Sequence, residues 1–330
     1  MNSSKTLLSK KRFLVTGGAG FIGSHLVDKL LDQKSAVAVL DNLNDYYAPA
    51  IKRANQQKHL ASANFRFIEG DIRNKEDLER VLSCGPFDYV VHLAAMAGVR
   101  PSLSNPDLYM DVNVTGTQKL ITALTGSGFS GRFIFGSSSS VYGARSGEQF
   151  LETDRVDQPL SPYAASKAAG ELACYSAHHT SGLTVACLRF FTVYGPRQRP
   201  DLAIHKFAKL IENGQPIEVY GDGTSKRDYT FVSDIVSGIE QSLIYALPGF
   251  DIINLGSCAP VDLSTLISCL EECLGKKADI LYSPAQLGDV PYTYASIAKA
   301  RQVLGYQPST KFRQGVAQFV EWYRSRRGSI

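Results

Sequence analysis

Apolar runs alternate with helix-length periodic segments through the first half of the chain. The runs are nearly continuous in apolar residues, which is typical of parallel strands covered on both faces. Such an alternation predicts an α/β fold built on a doubly wound parallel sheet. The predicted strands are 12–16, 35–41, 65–71, 88–94, 132–138 and 183–191, and the predicted helices include 21–33, 106–125 and 162–180.

The second half has a different texture, with Gly, Pro and Arg clustered in "VYGPRQRPD" and "VYGDGTSKRDY". Strands at 251–256 and 278–283, separated by a helix at 262–274, predict a smaller mixed α/β lobe that returns to the main sheet. A chain of 330 residues with 44% hydrophobic content can bury two such cores. We expect a cofactor-binding domain at 11–191 and 228–257, and a substrate-binding lobe at 192–227 and 258–330.

Composition argues against several classes of protein. The net charge is only +4, and "KKR" and "RSRR" near the two ends account for much of the basic excess. Without a basic patch interleaved with aromatics, we expect no nucleic-acid partner. The first residues hold no apolar stretch that could enter a membrane, so we expect no membrane partner and a cytoplasmic location. The six cysteines show no CxxC spacing, which favours reduced thiols and no metal site.

A glycine-rich turn follows the first predicted strand and precedes the first predicted helix. In "VTGGAGFIGSHL", Gly17 permits a tight turn, Gly20 lets the backbone approach a pyrophosphate, and Gly23 allows close helix–sheet packing. The helix N-terminus would then supply N–H groups for the phosphates. The alternative is a glycine-rich turn that binds nothing.

Asp41 ends the second predicted strand, at the usual distance for a ribose-binding acid. A carboxylate there accepts hydrogen bonds from both ribose hydroxyls and repels a 2′-phosphate, which favours NAD over NADP. The alternative is a solvated acid at a strand end.

The stretch "SPYAASK" sets Tyr163 one helical turn before Lys167, so the two side chains share a helix face. A phenol has a pKa near ~10 and is a poor base at neutral pH. A neighbouring ammonium would stabilise the phenolate, which could then take a proton from a substrate hydroxyl. The serines of "GSSSSVYG" would hold the substrate oxygen. Alone, the tyrosine–lysine spacing also fits an ordinary helix surface.

Together, TGGAGFIGSH, HLAA, Asn113 in "VNVTGT", SSSSVYG, YxxxK and RDY resemble the extended short-chain dehydrogenase/reductase family, and within it the nucleotide-sugar 4-epimerases. The resemblance runs from Arg12 to about Tyr323. It implies an NAD-binding Rossmann domain, Tyr163 as base, Lys167 as its partner and Ser138 as the substrate-binding serine. Ser140 stands where decarboxylases and dehydratases of the family place a glutamate, which argues against both reactions.

The resemblance also implies the residues around the cofactor. Besides the three glycines, Asp41, Tyr163 and Lys167, they are Phe21, Ile22, Asn42, Asp71, Ile72, Leu93, Ala94, Ala95 and Asn113. The aromatic segment "DYYAPAIKR" is expected to cover the cofactor without any chemistry of its own.

For the substrate, the resemblance implies Arg227 on the diphosphate, Tyr220 against uracil and Asp289 on a ribose hydroxyl. Gln286 replaces a second arginine of UDP-galactose 4-epimerases. Thr192 and the segment "GPRQRPD" are more similar to UDP-glucuronate 4-epimerases, in which Thr192 and Arg199 would hold the sugar carboxylate. Arg100 is a further candidate, and solvated loop charge or diphosphate contact is the alternative for both arginines.

These features predict NAD-dependent C4 epimerisation of a UDP-sugar, with UDP-glucuronate and UDP-galacturonate as the expected pair, through a 4-keto intermediate. The alternative enzyme is a UDP-glucose or UDP-N-acetylglucosamine 4-epimerase. An alternative of another class is a non-catalytic NAD sensor, which would not need the tyrosine and lysine that are present. Family analogy implies a homodimer through the helices near 106–125 and 162–180.

Overall fold

The protein's structure is a computed structural model that describes residues 7–145, 148–247, 249–284 and 290–326. The strands in chain order are β1 (Arg12–Thr16), β2 (Ala36–Asp41), β3 (Phe65–Glu69), β4 (Tyr89–His92), β5 (Arg132–Ser138), β6 (Thr184–Phe190), β7 (Thr192–Tyr194), β8 (Ile217–Tyr220), β9 (Lys226–Phe231), β10 (Phe250–Leu255), β11 (Pro260–Asp262) and β12 (Ile280–Ser283).

The helices lie between these strands as the alternation predicts. They are α1 (Phe21–Asp32), α2 (Pro49–Gln56), α3 (Lys75–Leu82), α4 (Val99–Ser104), α5 (Pro106–Met110), α6 (Thr117–Gly126), α7 (Pro162–Ser181), α8 (Ala203–Glu212), α9 (Val232–Ile244), α10 (Leu263–Leu274), α11 (Ala298–Leu304) and α12 (Phe312–Ser325). A π-helical turn, Asp111–Gly116, joins α5 to α6, and a 3-10 turn, Ser139–Tyr142, follows β5.

The main sheet has seven parallel strands in the order β10-β6-β5-β4-β1-β2-β3. Both of its faces are buried. In β1, for example, Phe13 and Val15 belong to one apolar cluster and Leu14 belongs to the other. Successive side chains of a strand point to opposite faces, so helices must cover both sides. The predicted doubly wound α/β fold is confirmed.

The sheet fixes the position of a crevice. From β1 the chain winds outward through β2 and β3, then crosses back to β4 and winds the other way through β5 and β6. The carboxyl ends of β1 and β4 meet at this switch point, where Thr16 is the register partner of His92. Ligands of such sheets bind at this edge.

The lobe is built from two small sheets, one of order β11-β9-β7 and one pairing β12 with β8. β10 returns to the main sheet beside β6, as expected. β9 spans the predicted boundary at residue 228, and within the described residues its strand partners are β7 and β11 of the lobe. The division of the chain into domains stays a prediction.

The predicted helix at 106–125 is helical, but the π turn interrupts its α-helical pattern. Asn113 lies in this turn, fully buried, and bonds across to the loop after β4 and to α7. π-Helical turns within α-helices are frequent at functional sites. Among the helices of the described residues, none is long and apolar enough to cross a membrane.

Candidate active site

A crevice at the switch point encloses about 1230 Å³ of empty space, part of it open to solvent. It is lined by every predicted cofactor residue except Asn113: Gly17, Gly20, Phe21, Ile22, Gly23, Asp41, Asn42, Asp71, Ile72, Leu93, Ala94, Ala95, Tyr163 and Lys167. Of the predicted substrate residues that the structure describes, Arg199 alone lines it.

The glycine turn leaves no room for side chains. Gly17 has φ +71°, and a Cβ there would lie 2.6 Å from the backbone nitrogen of Ala94. A Cβ on Gly23 would lie 2.2 Å from the carbonyl oxygen of Gly17. The turn is therefore a bare backbone cradle at the N-terminus of α1, which is the geometry that binds a pyrophosphate.

Asp41 lies beneath this cradle. Its carboxylate accepts hydrogen bonds from the N–H groups of Ala19 (3.0 Å) and Leu43 (2.9 Å). Burial raises the pKa of Asp41, and these two hydrogen bonds oppose that effect. A buried acceptor at the end of β2, beside a side-chain-free turn, fits the adenosine half of NAD. Asn42 and Asp71 continue the same wall through a hydrogen bond of 2.9 Å.

Asn113 has a supporting position behind the crevice. Its amide pairs with the backbone of Met96, accepting from N–H at 2.8 Å and donating to the carbonyl at 2.9 Å. It also donates to Ser166 Oγ on α7 at 2.9 Å. Asn113 thereby connects the loop after β4 to the helix that carries Tyr163.

α7 brings the predicted catalytic tyrosine and lysine to the crevice. Ser161 caps the helix by accepting from the N–H of Ala164 at 3.2 Å, and Pro162 occupies its first turn. Lys167 Nζ donates to the carbonyl of Gly136 on β5 at 2.7 Å. Burial lowers the pKa of Lys167 to about 8, and the nearby Glu171 works against that shift.

Tyr163 is half-buried and its ring meets Tyr109 edge-on, with 6.2 Å between ring centroids. Burial raises the pKa of Tyr163, while a hydrogen bond with Ser138 and the charge of Arg199 lower it. The two serines predicted beside it are joined, since Ser138 Oγ lies 3.2 Å from Ser140 Oγ. The structure thus brings Tyr163, Ser138 and Arg199 together, and directs Lys167 at the Gly136 carbonyl.

Arg199 is held by an aspartate that the sequence reasoning missed. Arg199 Nε and Nη2 donate to the two carboxylate oxygens of Asp201 at 3.0 and 2.8 Å. Tyr46, from the aromatic segment after β2, donates to the same carboxylate at 3.2 Å. Tyr46 and Tyr47 line the crevice. The aromatic segment therefore contributes to the wall of the site, in addition to covering it. The Arg-x-Asp spacing in "RQRPD" is the only sequence signal for the pair.

The other predicted substrate residues lie outside the lining of the crevice. Arg100 is stacked on Tyr220, with its guanidinium carbon 4.5 Å from the ring centroid. Arg227 lies in β9 and donates to the carbonyl of Lys226 at 3.0 Å. Thr192 begins β7 and is half-buried. Asp289 and Gln286 lie outside the described residues.

Sequence reasoning also missed a buried ion pair that involves α7. Arg189 on β6 and Glu171 on α7 form a buried ion pair, with contacts of 2.9 and 2.7 Å, and Ser137 donates to Glu171. This pair ties the catalytic helix to β5 and β6. In the described residues, no group of three His, Cys, Asp or Glu side chains could hold a metal ion.

Comparisons with known proteins agree with this geometry. Residues 14–319 match a family model described as GDP-mannose 4,6 dehydratase. The chain is 42% identical over 311 residues to a UDP-glucuronate 4-epimerase of Thermodesulfobacterium geofontis, covering 94% of this chain and 95% of the relative.

Two solved structures are similar over nearly all of the chain. One is a UDP-glucuronic acid 4-epimerase from Bacillus cereus in complex with UDP-glucuronic acid and NAD, at a TM-score of 0.89, 35% identity and coverage of 95% and 99%. The other is a UDP-glucose 4-epimerase from Thermus thermophilus in complex with NAD, at a TM-score of 0.87, 33% identity and coverage of 97% and 100%.

Proposed function

The chain belongs to the GDP-mannose 4,6-dehydratase family of extended short-chain dehydrogenases/reductases, and we propose that it is an NAD-dependent UDP-glucuronate 4-epimerase. It interconverts UDP-glucuronate and UDP-galacturonate through a transient 4-keto sugar. The observation that carries the proposal is the placement of the Arg199 guanidinium in the same crevice as Tyr163. An epimerase of neutral hexoses has no need of a cation there, whereas a uronate offers a carboxylate that an arginine binds bidentately.

Residues of the crevice fit NAD. The glycine turn and the N-terminus of α1 would hold the pyrophosphate, Asp41 would accept hydrogen bonds from the adenosine ribose, and Lys167 would bind on the nicotinamide side. When bound, NAD supplies a ring that accepts hydride from C4 of the sugar and returns it. The chain's own residues orient the sugar, exclude water and move the proton.

Tyr163 is the proposed base that removes the proton of the 4-hydroxyl. Ser138, which hydrogen-bonds Tyr163, holds the same substrate oxygen in line. Burial alone would keep the phenol protonated, so the hydrogen bond with Ser138 and the positive charge of Arg199 favour the ionised form. When the 4-keto sugar is reduced on the opposite face of C4, Tyr163 returns its proton to the oxygen on C4.

Ser140 favours epimerisation over elimination. A dehydratase must remove a proton beside the ketone and protonate a leaving hydroxyl, which needs a carboxylic acid close to the sugar. Ser140 offers only a hydroxyl, already 3.2 Å from Ser138 Oγ. This supports an enzyme that removes and returns hydride at one carbon.

Glucuronate carries a hazard that the site must control. The 4-keto intermediate is a β-keto acid, which loses CO2 when the C5–C6 bond aligns with the carbonyl π system. Arg199 and Thr192 hold the carboxylate away from that alignment. Of the two, Arg199 has the stronger support, because it lines the crevice with Tyr163.

The lobe is the proposed site of the nucleotide. Arg227 binds the diphosphate, Tyr220 lies against uracil, and Asp289 accepts from the ribose. The stacking of Arg100 on Tyr220 supports a role for Arg100 at the base or the diphosphate more than at the carboxylate. This assignment extends the family's pattern to the matching positions of this chain.

A second candidate is UDP-glucose 4-epimerisation, since the Thermus thermophilus structure is nearly as similar. Purified protein incubated separately with UDP-glucuronate, UDP-glucose and UDP-N-acetylglucosamine, with and without added NAD, tests the choice. We expect UDP-galacturonate from the first at least about 10-fold faster than the C4 epimer from either neutral sugar, the factor for one charged hydrogen bond. Faster turnover of a neutral sugar contradicts the uronate assignment.

We propose a cytoplasmic location, supported by the free thiols of the six cysteines, since reduced cysteines are typical of that compartment.

We also propose a homodimer through α5 and α7. Apolar side chains are exposed along the helices packed there: Leu172 on α7 is 70% exposed, Leu103 on α4 is 47% and Met110 on α5 is 39%. Exposed apolar surface of this kind marks interaction sites.

Leu172→Glu is therefore expected to shift the protein from dimer to monomer in size-exclusion chromatography with light scattering, because the glutamate charge would be buried in the contact. Leu60→Glu is the control, since Leu60 is 55% exposed and follows α2. A Leu172→Glu variant that stays dimeric contradicts the interface.

A further inference from the structure

We propose that Asp201 and Tyr46 are positioning residues that aim the Arg199 guanidinium and thereby set the preference for an acidic sugar. The inference rests on the proposed function. Neither residue needs to touch the substrate, because both act through Arg199.

The contact between Asp201 and Arg199 uses one edge of the guanidinium. Asp201 accepts from Nε at 3.0 Å and from Nη2 at 2.8 Å, a planar bidentate pair. A guanidinium has five N–H donors in a fixed fork. The second edge, formed by Nη1 and the outer hydrogen of Nη2, is left for another carboxylate. Asp201 thus fixes the plane in which that second edge can meet an acidic ligand.

Tyr46 contacts both members of the Arg199–Asp201 pair. Its hydroxyl donates to Asp201 Oδ2 at 3.2 Å, and its ring lies 5.4 Å from the Arg199 guanidinium carbon. Burial and the charge of Asp201 raise the pKa of Tyr46 to about 12, so the hydroxyl stays a donor. Arg199 is therefore confined by an ion pair on one edge and an aromatic ring beside it.

The backbone around Arg199 is also fixed. His25 bonds the carbonyl of Pro196 at 2.8 Å, and His205 bonds the carbonyl of Gln198 at 2.7 Å. Between them, Arg197 pairs with Asp28 on α1 at 2.7 Å. With the main chain held on both sides, the remaining freedom of Arg199 is in its side chain, and Asp201 removes it.

Aim matters more for a uronate than for a neutral sugar. If the carboxylate rotates during the 4-keto stage, the C5–C6 bond can align with the ketone. That bond then breaks, its electron pair forms the C4–C5 enolate, CO2 leaves, and a proton from solvent adds at C5 to give a 4-keto pentose. A misdirected Arg199 should therefore weaken uronate binding and release pentose, and leave neutral sugars unaffected.

The test uses two substitutions that keep the shape of the side chain. Asp201→Asn removes the negative charge, and Tyr46→Phe removes the hydroxyl. In the Tyr163→Phe background, which prevents turnover, calorimetry gives the Kd of UDP-glucuronate and of UDP-glucose. We expect Asp201→Asn to raise the Kd of UDP-glucuronate about 10-fold and Tyr46→Phe about 3-fold, as for weakened charged and neutral hydrogen bonds. The Kd of UDP-glucose should change less than about 2-fold.

In the chain with Tyr163 restored, both variants should raise the pentose fraction of the products from UDP-glucuronate. The matched controls are Asp157→Asn, which removes an exposed aspartate paired with Arg155 at the same spacing, and Tyr89→Phe, on β4. Both controls should behave like the unsubstituted protein.

Three outcomes overturn the inference: an unchanged Kd and pentose fraction, an equal loss for both ligands, or tighter binding of UDP-glucuronate. The second would give Asp201 a merely structural role, and the third would make it a competitor for the guanidinium. Failure of the proposed function is distinguishable, because the unsubstituted protein would then form no UDP-galacturonate from UDP-glucuronate.

Discussion

Tyr163→Phe is expected to lower kcat for epimerisation of UDP-glucuronate by about 10³-fold, while the Kd of UDP-glucuronate changes little. The phenol is the group that removes the 4-hydroxyl proton, and a positioned acid–base residue contributes about 10²–10⁴-fold. The ring remains, so its edge contact with Tyr109 and the packing of α7 on the sheet are kept. Initial rates with resolved products measure the change.

Tyr175→Phe is the matched control for this prediction. Tyr175 lies on α7 as well, three turns beyond Tyr163, and its side chain is 55% exposed. Loss of that hydroxyl should leave kcat unchanged. A Tyr163→Phe variant that keeps more than about a tenth of the activity would show that another group takes the proton.

Arg199→Ala is expected to lower kcat/KM for UDP-glucuronate by about 10²-fold, because two charged hydrogen bonds to the carboxylate are lost at about 1.5 kcal/mol or more each. The same variant should convert part of the substrate to a pentose, since the carboxylate is then free to align with the C4 ketone. Product analysis by chromatography gives the ratio of pentose to hexuronate.

Arg155→Ala, which removes an exposed arginine from the pair with Asp157, is the control for a lost guanidinium. It should leave both the rate and the product ratio unchanged. If Arg199→Ala kept the rate of UDP-glucuronate turnover and formed no pentose, the carboxylate would have to be held elsewhere, and the uronate assignment would lose its main support.

Features that depend on local sequence were predictable. The apolar strands, the turn at Gly17 and the helix carrying Tyr163 and Lys167 each have a local pattern that is typical of the structure they form. The family and the fold were predicted from these motifs, and the comparisons confirm them. The predicted activity and NAD are supported by relatives and solved neighbours that are named as UDP-sugar 4-epimerases or were crystallised with NAD. The roles of single site residues and the domain boundaries stay predictions.

Features that depend on long-range contacts were not predictable. Tyr46 meets Asp201 across 155 residues of sequence, and no spacing rule connects them. Arg100, a candidate for the sugar carboxylate or for the diphosphate, stacks on Tyr220, and no spacing rule predicts that contact between distant parts of the sequence. The buried ion pair of Arg189 with Glu171 was not predictable either. A single polar residue in an apolar strand does not indicate which distant residue it pairs with.

The return of β10 to the main sheet bears on how the chain is made. β6 ends at Phe190, and its outer partner does not begin until Phe250, with β7, β8 and β9 of the lobe between them. During synthesis on the ribosome, the apolar β6 is therefore an open sheet edge until the intervening segment has emerged. Unpaired edges of this kind recruit foreign strands. Slow translation or truncation before residue 250 should consequently leave a nascent chain that depends on chaperones.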